Sequence, residues 1–326
     1  MTLLKRTRST YQTSISDLTM KIATITLNPA IDRNILYEES LLTGGLNRVS
    51  PAVVNAGGKG INVSRMLKRL GIEPYTYGFI GGYTGNMLVD MLKNEGIETQ
   101  FTKTLAETRM NIKITDKNGE QTEINEHGGP VNEDELKVLI EQLKKSDADV
   151  FIIGGSTPKG LGSDTVCKIT GTLKLRGKQV ICDVSGEPLK KVVEIRPYLI
   201  KPNKEEFCEL LGFTPSGDKY YEEAVKFYMN TGVEILLTLG KDGAVYSGRG
   251  GNYVIKNPEV KAKGFSGAGD TFLASFVYAI TVEKPIKDAL RFASAASLSK
   301  VTLEGTNLPD LQLIRSNLES VSVKEI

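Results

Sequence analysis

Val150-Phe151-Ile152-Ile153 is a short, wholly apolar run between two stretches that read as helices, 133–145 before it and 164–176 after it. Val180-Ile181-Cys182 repeats the run just beyond. Consecutive apolar residues suit a strand buried on both faces, and a helix between two such strands is what a parallel crossover requires. The rhythm extends outward in both directions. Toward the N-terminus, 21–27 and 75–80 read as strands, and 86–94 as a helix. A further helix is predicted over 61–70, with Val63, Met66, Leu67 and Leu70 on one face and Gly71 stopping it. Toward the C-terminus, 198–200 and 234–239 read as strands, with helices near 204–211 and 221–230. The pattern predicts the α/β class, a parallel sheet covered on both faces.

Two regions break the rhythm. Residues near 31–55 and 99–126 look like short alternating strands, clearest where Met110–Thr115 is followed by Asn118-Gly119, a hairpin turn, and then 121–124. Such segments have no place in a doubly wound layer, so they predict a second small sheet, an edge extension or a lid over the ligand end. One core domain over 21–326 plus that β lid is the expected organisation. Residues 1–20 are basic, rich in Ser and Thr and without hydrophobic periodicity, and are read as a leader or disordered extension.

Composition removes several functions. The chain has 326 residues, 40% hydrophobic and 25% charged, an ordinary globular balance. Its formal charge is +2, and Lys5, Arg6 and Arg8 against Asp17 account for all of it, leaving no global basic signature for nucleic acid. The longest apolar run, 272–282, is shorter than the ~20 residues a bilayer span needs. Cys167, Cys182 and Cys208 are odd in number and form no CxxC pair, which argues against a disulfide framework or zinc ribbon and for a reducing, cytoplasmic setting. The single histidine, His127, sits in a polar, Gly-flanked stretch and reads as a solvated turn residue, so histidine-based metal or Ser-His-Asp chemistry is not expected.

Two glycine-rich stretches carry chemistry. In Gly264-Phe265-Ser266-Gly267-Ala268-Gly269-Asp270-Thr271, small residues feed a helix marked by Phe272, Leu273, Phe276, Val277 and Ile280. Free N–H groups at such a helix start attract anions, and the small residues let a phosphate approach the backbone. Asp270, in the first turn, is placed to accept a proton from an alcohol attacking phosphorus. A tight turn with a capping aspartate would use the same residues. Asn55-Ala56-Gly57-Gly58-Lys59-Gly60-Ile61-Asn62 likewise puts glycines before an amphipathic helix, with Lys59 adding charge and Asn62 a donor and acceptor. With Asp32, and with Arg48 and Arg109 in the lid-like strands for bidentate phosphate contacts, these groups suit a polyhydroxy ligand that carries a phosphate. No G-x-x-x-x-G-K-[ST] loop and no complete dinucleotide fingerprint occurs.

Gly57-Gly58-Lys59-Gly60-Ile61-Asn62-Val63 and Gly267-Ala268-Gly269-Asp270 resemble the N- and C-terminal signatures of the PfkB (ribokinase-like) carbohydrate kinases, and the resemblance covers essentially all of 21–326. Within that family 26–32, Asn47-Arg48-Val49 and Phe79-Ile80-Gly81-Gly82 are similar to the phosphosugar branch of 1-phosphofructokinase, tagatose-6-phosphate kinase and the minor 6-phosphofructokinase, with 60–65 and 67–72 most similar to the first. The resemblance implies a three-layer sandwich with a β-sheet lid, and Mg²⁺-ATP and a sugar phosphate as ligands. It makes Asp270 the base and Gly267, Ala268 and Gly269 the anion hole. Sugar hydroxyls fall to Asp32, Gly57, Gly58 and Asn62, and the substrate phosphate to Lys59, Arg48 and Arg109, with Ser156 on the substrate side. Lys201-Pro202-Asn203-Lys204-Glu205-Glu206 matches the family's NxxE element, so Asn203 and Glu206 would organise Mg²⁺ through water. Lys201, Thr238, Gly240, Lys241 and Gly243 would face ATP; 238–243 alone also reads as a β-hairpin turn. Relatives make a lid-to-lid homodimer an expectation here too. A non-catalytic sugar-phosphate sensor on the same scaffold is the alternative of a different class.

Overall fold

A computed structural model describes residues 20–326; the reading of the first twenty residues as a leader or extension therefore lies, Met20 apart, outside the described residues. Fourteen strands are formed among them: β1 (Ile22–Thr26), β2 (Ala30–Leu36), β3 (Val53–Gly57), β4 (Tyr75–Ile80), β5 (Thr102–Lys103), β6 (Arg109–Thr115), β7 (Gln121–Asn125), β8 (Val150–Gly154), β9 (Gln179–Asp183), β10 (Leu199–Ile200), β11 (Glu234–Thr238), β12 (Ala244–Gly248), β13 (Gly251–Lys256) and β14 (Ser322–Glu325). The helices are α1 (Lys59–Arg69), α2 (Gly82–Asn94), α3 (Glu133–Lys145), α4 (Thr165–Leu175), α5 (Gly186–Glu194), α6 (Lys204–Leu211), α7 (Lys219–Thr231), α8 (Ala268–Thr281), α9 (Ile286–Val301) and α10 (Leu311–Ser316).

The larger sheet runs β14-β13-β12-β11-β10-β9-β8-β1-β4-β5, parallel from β11 through β5 and antiparallel over β12 to β14. Alternation along each buried strand divides the core between its two faces. Phe151 and Ile153 join Leu136, Leu139 and Leu143 of α3 and Ile169 of α4 on one side. Val150 and Ile152 join Val63, Met66 and Leu67 of α1 with Phe272, Leu273, Phe276 and Val277 of α8 on the other. Helix ends are closed by local signals, although α2 begins at Gly82, before the expected residue 86. For α3, Asn132 and Glu135 make a reciprocal capping box, acids fill the first turn, and Lys144 and Lys145 the last. The apolar run of 272–282 is α8, buried nearly all round between α1 and α9.

The predicted second sheet exists as β3-β2-β6-β7, with β6 and β7 joined through a turn at Gly119 (φ 82°). Its limits differ from the expectation. Thr102 and Lys103 pair with β4 of the large sheet, because the chain leaving α2 must pass that edge first. Residues 37–52 form no strand, so Arg48 sits on an exposed loop between β2 and β3 rather than in a lid strand. Helices α5, α9 and α10 and the antiparallel edge are additions to the sequence reading. No helix among the described residues is long and apolar enough to cross a membrane.

Candidate active site

Open parallel sheets bind ligands beyond the carboxyl ends of their strands, where crossovers leave a crevice. Here that edge gathers Asn28 after β1, Ser156 after β8, Asp183 ending β9 and Lys201 just after β10. Helices α1 and α8 point their N-termini at the same edge. Gly267, the residue before α8, has φ 76°, a left-handed conformation that glycine adopts without strain. As at any helix start, the N–H groups of the first α8 turn lack intrahelical partners; Ala268 N–H is held by the Phe265 carbonyl at 3.2 Å, and its neighbours are left to receive an anion.

Asp270 lies in that first turn, 7% exposed. Its carboxylate accepts a hydrogen bond from Nδ2 of Asn62 at 2.7 Å, joining two sequence stretches 208 residues apart. Burial and the neighbouring Asp183 carboxylate push its pKa up to about 6, against the lowering pull of Asn62, Lys201 and Lys59. Deeper in the site, Lys59 Nζ meets Asp183 Oδ1 at 2.8 Å and Lys201 Nζ meets Oδ2 at 3.1 Å. Burial alone would raise the Asp183 carboxyl, but the two ammonium groups overcome it and hold it below the ordinary range. For Lys59 burial works downward, and Asp183, Glu206 and Asp270 outweigh it and raise the pKa. Lys201 also borders the anion turn: its Nζ is 3.5 Å from where a Cβ on Gly269 would stand.

A second cluster forms on the small sheet. Asp32 on β2 and Asn111 on β6 are register partners, and Asn111 Nδ2 donates to Asp32 Oδ1 at 2.8 Å. A Cβ on Gly57 would lie 2.6 Å from the Asp32 carboxylate, so glycine is what permits that approach. Gly58 follows at φ 115° and leads into α1. Arg109 Nε donates to the Asn28 carbonyl at 3.3 Å, and its Nη1 to Glu126 O at 3.0 Å. Asn28 Nδ2 in turn donates to Ser156 Oγ at 3.2 Å.

The structure thus brings together Asp270, Asn62, Lys59 and Lys201 in one group, and Asp32, Gly57, Arg109 and Ser156 in another. Some expectations change. Lys59 is engaged by Asp183, on the Asp270 side, and is not grouped with the arginines. Arg48 makes no contact with either cluster among the described hydrogen bonds and ion pairs. Asn203 and Glu206 form the capping box of α6, each bonding the other's backbone N–H at 2.8 Å, which leaves Glu206 Oε1 facing Lys59 at 3.9 Å. Thr238, Gly240, Lys241 and Gly243 form the β11–β12 hairpin connection, where Lys241 is exposed and a Cβ on Gly243 would collide with the Ile255 carbonyl of β13. Exposed His127 is a loop residue, as predicted.

Asp183, Asn28 and Asn111 escaped the sequence reading. Asp183 carried one usable signal, an acid ending an otherwise apolar buried strand. Its Oδ2 is buried and faces the Lys201 ammonium at 3.1 Å, so a cation bound there would share that oxygen with Lys201. No group of three His, Cys, Asp or Glu side chains among the described residues closes a metal cage. Asp183 and Glu206 are the carboxylates near Lys59 that could hold Mg²⁺ through water and ligand phosphates.

A buried carboxylate beside a helix start that can receive an anion, with a second cluster of polar groups on the small sheet, is the arrangement that phosphoryl transfer to a hydroxyl group requires. Residues 23–312 match the pfkB family carbohydrate kinases, and the chain belongs to that family. It is 36% identical over 83% of its length to a 1-phosphofructokinase of Bacillus subtilis, covering 89% of that protein. To a tagatose-6-phosphate kinase of Staphylococcus epidermidis it is 32% identical, over 84% of this chain and 90% of the other. Phosphofructokinase-2 from Escherichia coli, solved in complex with potassium, superposes with a TM-score of 0.87 at 26% identity, over 92% of this chain and 98% of that one.

Proposed function

We propose that residues 21–326 act as a single kinase domain that transfers the γ-phosphoryl group of ATP to the free primary hydroxyl of D-fructose 1-phosphate, giving fructose 1,6-bisphosphate. The observation that carries this reading is the 2.7 Å bond from Asn62 to Asp270 at the start of α8, which fixes a carboxylate beside an anion-binding turn. The P–O bond to the departing nucleotide breaks, a bond from the sugar oxygen to phosphorus forms, and the hydroxyl proton passes to Asp270. N–H groups at Gly267 and Gly269 receive charge on the transferred group, joined by Ala268 N–H if it leaves the Phe265 carbonyl, and Lys201 and Lys59 add positive potential. Mg²⁺, when bound, would neutralise nucleotide phosphate charge, held through water near Asp183 and Glu206, with Asn203 positioning Glu206. ATP would lie toward Lys201 and the 238–243 turn.

Asp32, Gly57, Gly58 and Asn62 would hold the sugar hydroxyls, with the small sheet as a lid, and Arg109 and Ser156 the substrate phosphate. Arg109 donates to the Asn28 and Glu126 carbonyls and to Asn111 and joins no ion pair among the described residues, which leaves its charge for a phosphate to meet. Arg109→Ala is expected to raise the sugar-phosphate KM about tenfold or more, with a smaller change in kcat; steady-state kinetics in both substrates checks this. Leu36, Val53 and Ile124 expose apolar surface on the small sheet, which supports a lid-to-lid homodimer. The free thiols of Cys167, Cys182 and Cys208 fit a cytoplasmic setting.

Coupled ADP release with fructose 1-phosphate, tagatose 6-phosphate, fructose 6-phosphate, fructose and ribose tests the assignment. A kcat/KM preference for fructose 1-phosphate of about tenfold, ~1.4 kcal/mol of transition-state binding, supports it. The 32% identity to a tagatose-6-phosphate kinase favours that sugar as the second reading. Silence on all five would favour the sensor.

A further inference from the structure

Lys300, at the C-terminal end of α9, is 1% exposed. A buried ammonium is costly unless an opposite charge or several dipoles surround it. No carboxylate among the described residues lies within ion-pair distance of it. Its one hydrogen bond runs from Nζ to the carbonyl of Gly305 at 2.7 Å. Burial, with Arg65 and Lys113 nearby, holds its pKa below lysine's ordinary value. Its Cε lies 3.7 Å from where a Cβ on Gly267 would stand, so the side chain runs directly behind the anion turn.

The same helix braces that turn at other points. Ser297 Oγ donates to the Ala268 carbonyl at 3.1 Å, and the Val301 carbonyl accepts from the N–H groups of Lys263 and Gly264. Lys113 of β6 reaches Ser266 Oγ at 3.2 Å, so the small sheet touches the same loop.

We propose that Lys300 is a positioning residue for phosphoryl transfer: its tethered ammonium, packed behind Gly267 and held by the Gly305 carbonyl, fixes the anion turn and supplies the positive charge that the arriving phosphoryl group compensates. The proposal rests on the reading of 267–270 as the transfer site. It explains why an ammonium is buried without an acid: the missing negative charge arrives with the nucleotide. A lysine that only closed the α9 terminus would need no burial and no place against Gly267.

Lys300→Met keeps the volume and removes the charge; Lys300→Ala leaves a cavity that a free ammonium ion can enter. Both are expected to lose roughly tenfold in kcat, less than the ~10²-fold or more of a direct oxyanion donor, with KM for ATP and sugar phosphate little changed. Ammonium chloride should restore kcat to Lys300→Ala and not to Lys300→Met, and tetramethylammonium chloride at equal ionic strength should restore neither. Melting of Lys300→Met should stay within about 4 °C of the parent, since relief of the buried charge offsets the lost hydrogen bond. An unchanged kcat in Lys300→Met overturns the proposal, as does a folded Lys300→Ala that ammonium leaves slow. If Lys300→Ala does not fold, the kcat, KM and melting of Lys300→Met decide. Asp270→Asn assayed alongside separates the two failures: activity retained there removes the transfer site itself, whereas its loss beside normal Lys300 variants removes only the role of Lys300.

Discussion

Asp270→Asn is expected to lower kcat by about 10²–10⁴-fold, the range a positioned general base contributes, while the protein stays folded. Asparagine keeps the shape and can still accept from Asn62, but it cannot take the sugar's proton. Stability at neutral pH should hold or rise. Burial raises the carboxyl pKa to about 6 in the folded chain, so the native state binds more protons than the unfolded one between about pH 4 and 6. Stability attributable to this group therefore falls as pH rises through that window, and asparagine removes the penalty. The same shift predicts the parent's activity: kcat/KM should climb with pH to a plateau above about 6, as Asp270 ionises. Steady-state rates across pH 5–8 and thermal melts of both proteins check these outcomes. Near-normal turnover in a folded Asp270→Asn protein would remove it as the base.

Asp183→Asn is expected to have the largest combined effect on stability and rate. Asp183 is 1% exposed and sits between Lys59 and Lys201, the latter 6% exposed. Removing one partner of a buried pair leaves the remaining charge uncompensated, a loss of about 3–5 kcal/mol. Lys59 keeps some solvent, so the cost falls mainly on Lys201. A denaturant midpoint by circular dichroism measures it. Turnover should fall as well, because Lys201 borders Gly269 and loses the group that orients it. A further signature separates this from general unfolding. The Asp183 charge helps raise the Asp270 pKa, so in the folded remainder of the variant the acid limb of kcat/KM should move below 6. A variant as stable as its parent would mean that Lys201 finds its counter-charge elsewhere, in Asp270.

The strands at 150–153 and 180–182 were legible because four or three apolar residues in a row between amphipathic helices admit few other structures. Residues 61–70 were legible through helical spacing and a stopping glycine, and 133–145 as a helical stretch ahead of the 150–153 strand. Short-range signals also served for the 110–124 hairpin. Arg48 was misplaced for the converse reason: 37–52 has apolar residues without a partner strand to pair them. The antiparallel β12 to β14 edge depends on β14, which returns from the far end of the chain to pair with β13.

The glycine stretches show where sequence alone stops. By itself the sequence determined the α/β class, the second small sheet, the glycine-rich helix starts and the candidacy of Asp270, because these follow from local periodicity and from what small residues permit. Only the tertiary structure decided which side chains face one another. It paired Asn62 with Asp270, set Lys59 against Asp183, and placed Lys300 beside Gly267. Each of those contacts closes a separation set by strand order and helix packing, and the charge on a buried group is controlled by neighbours brought there from distant parts of the chain.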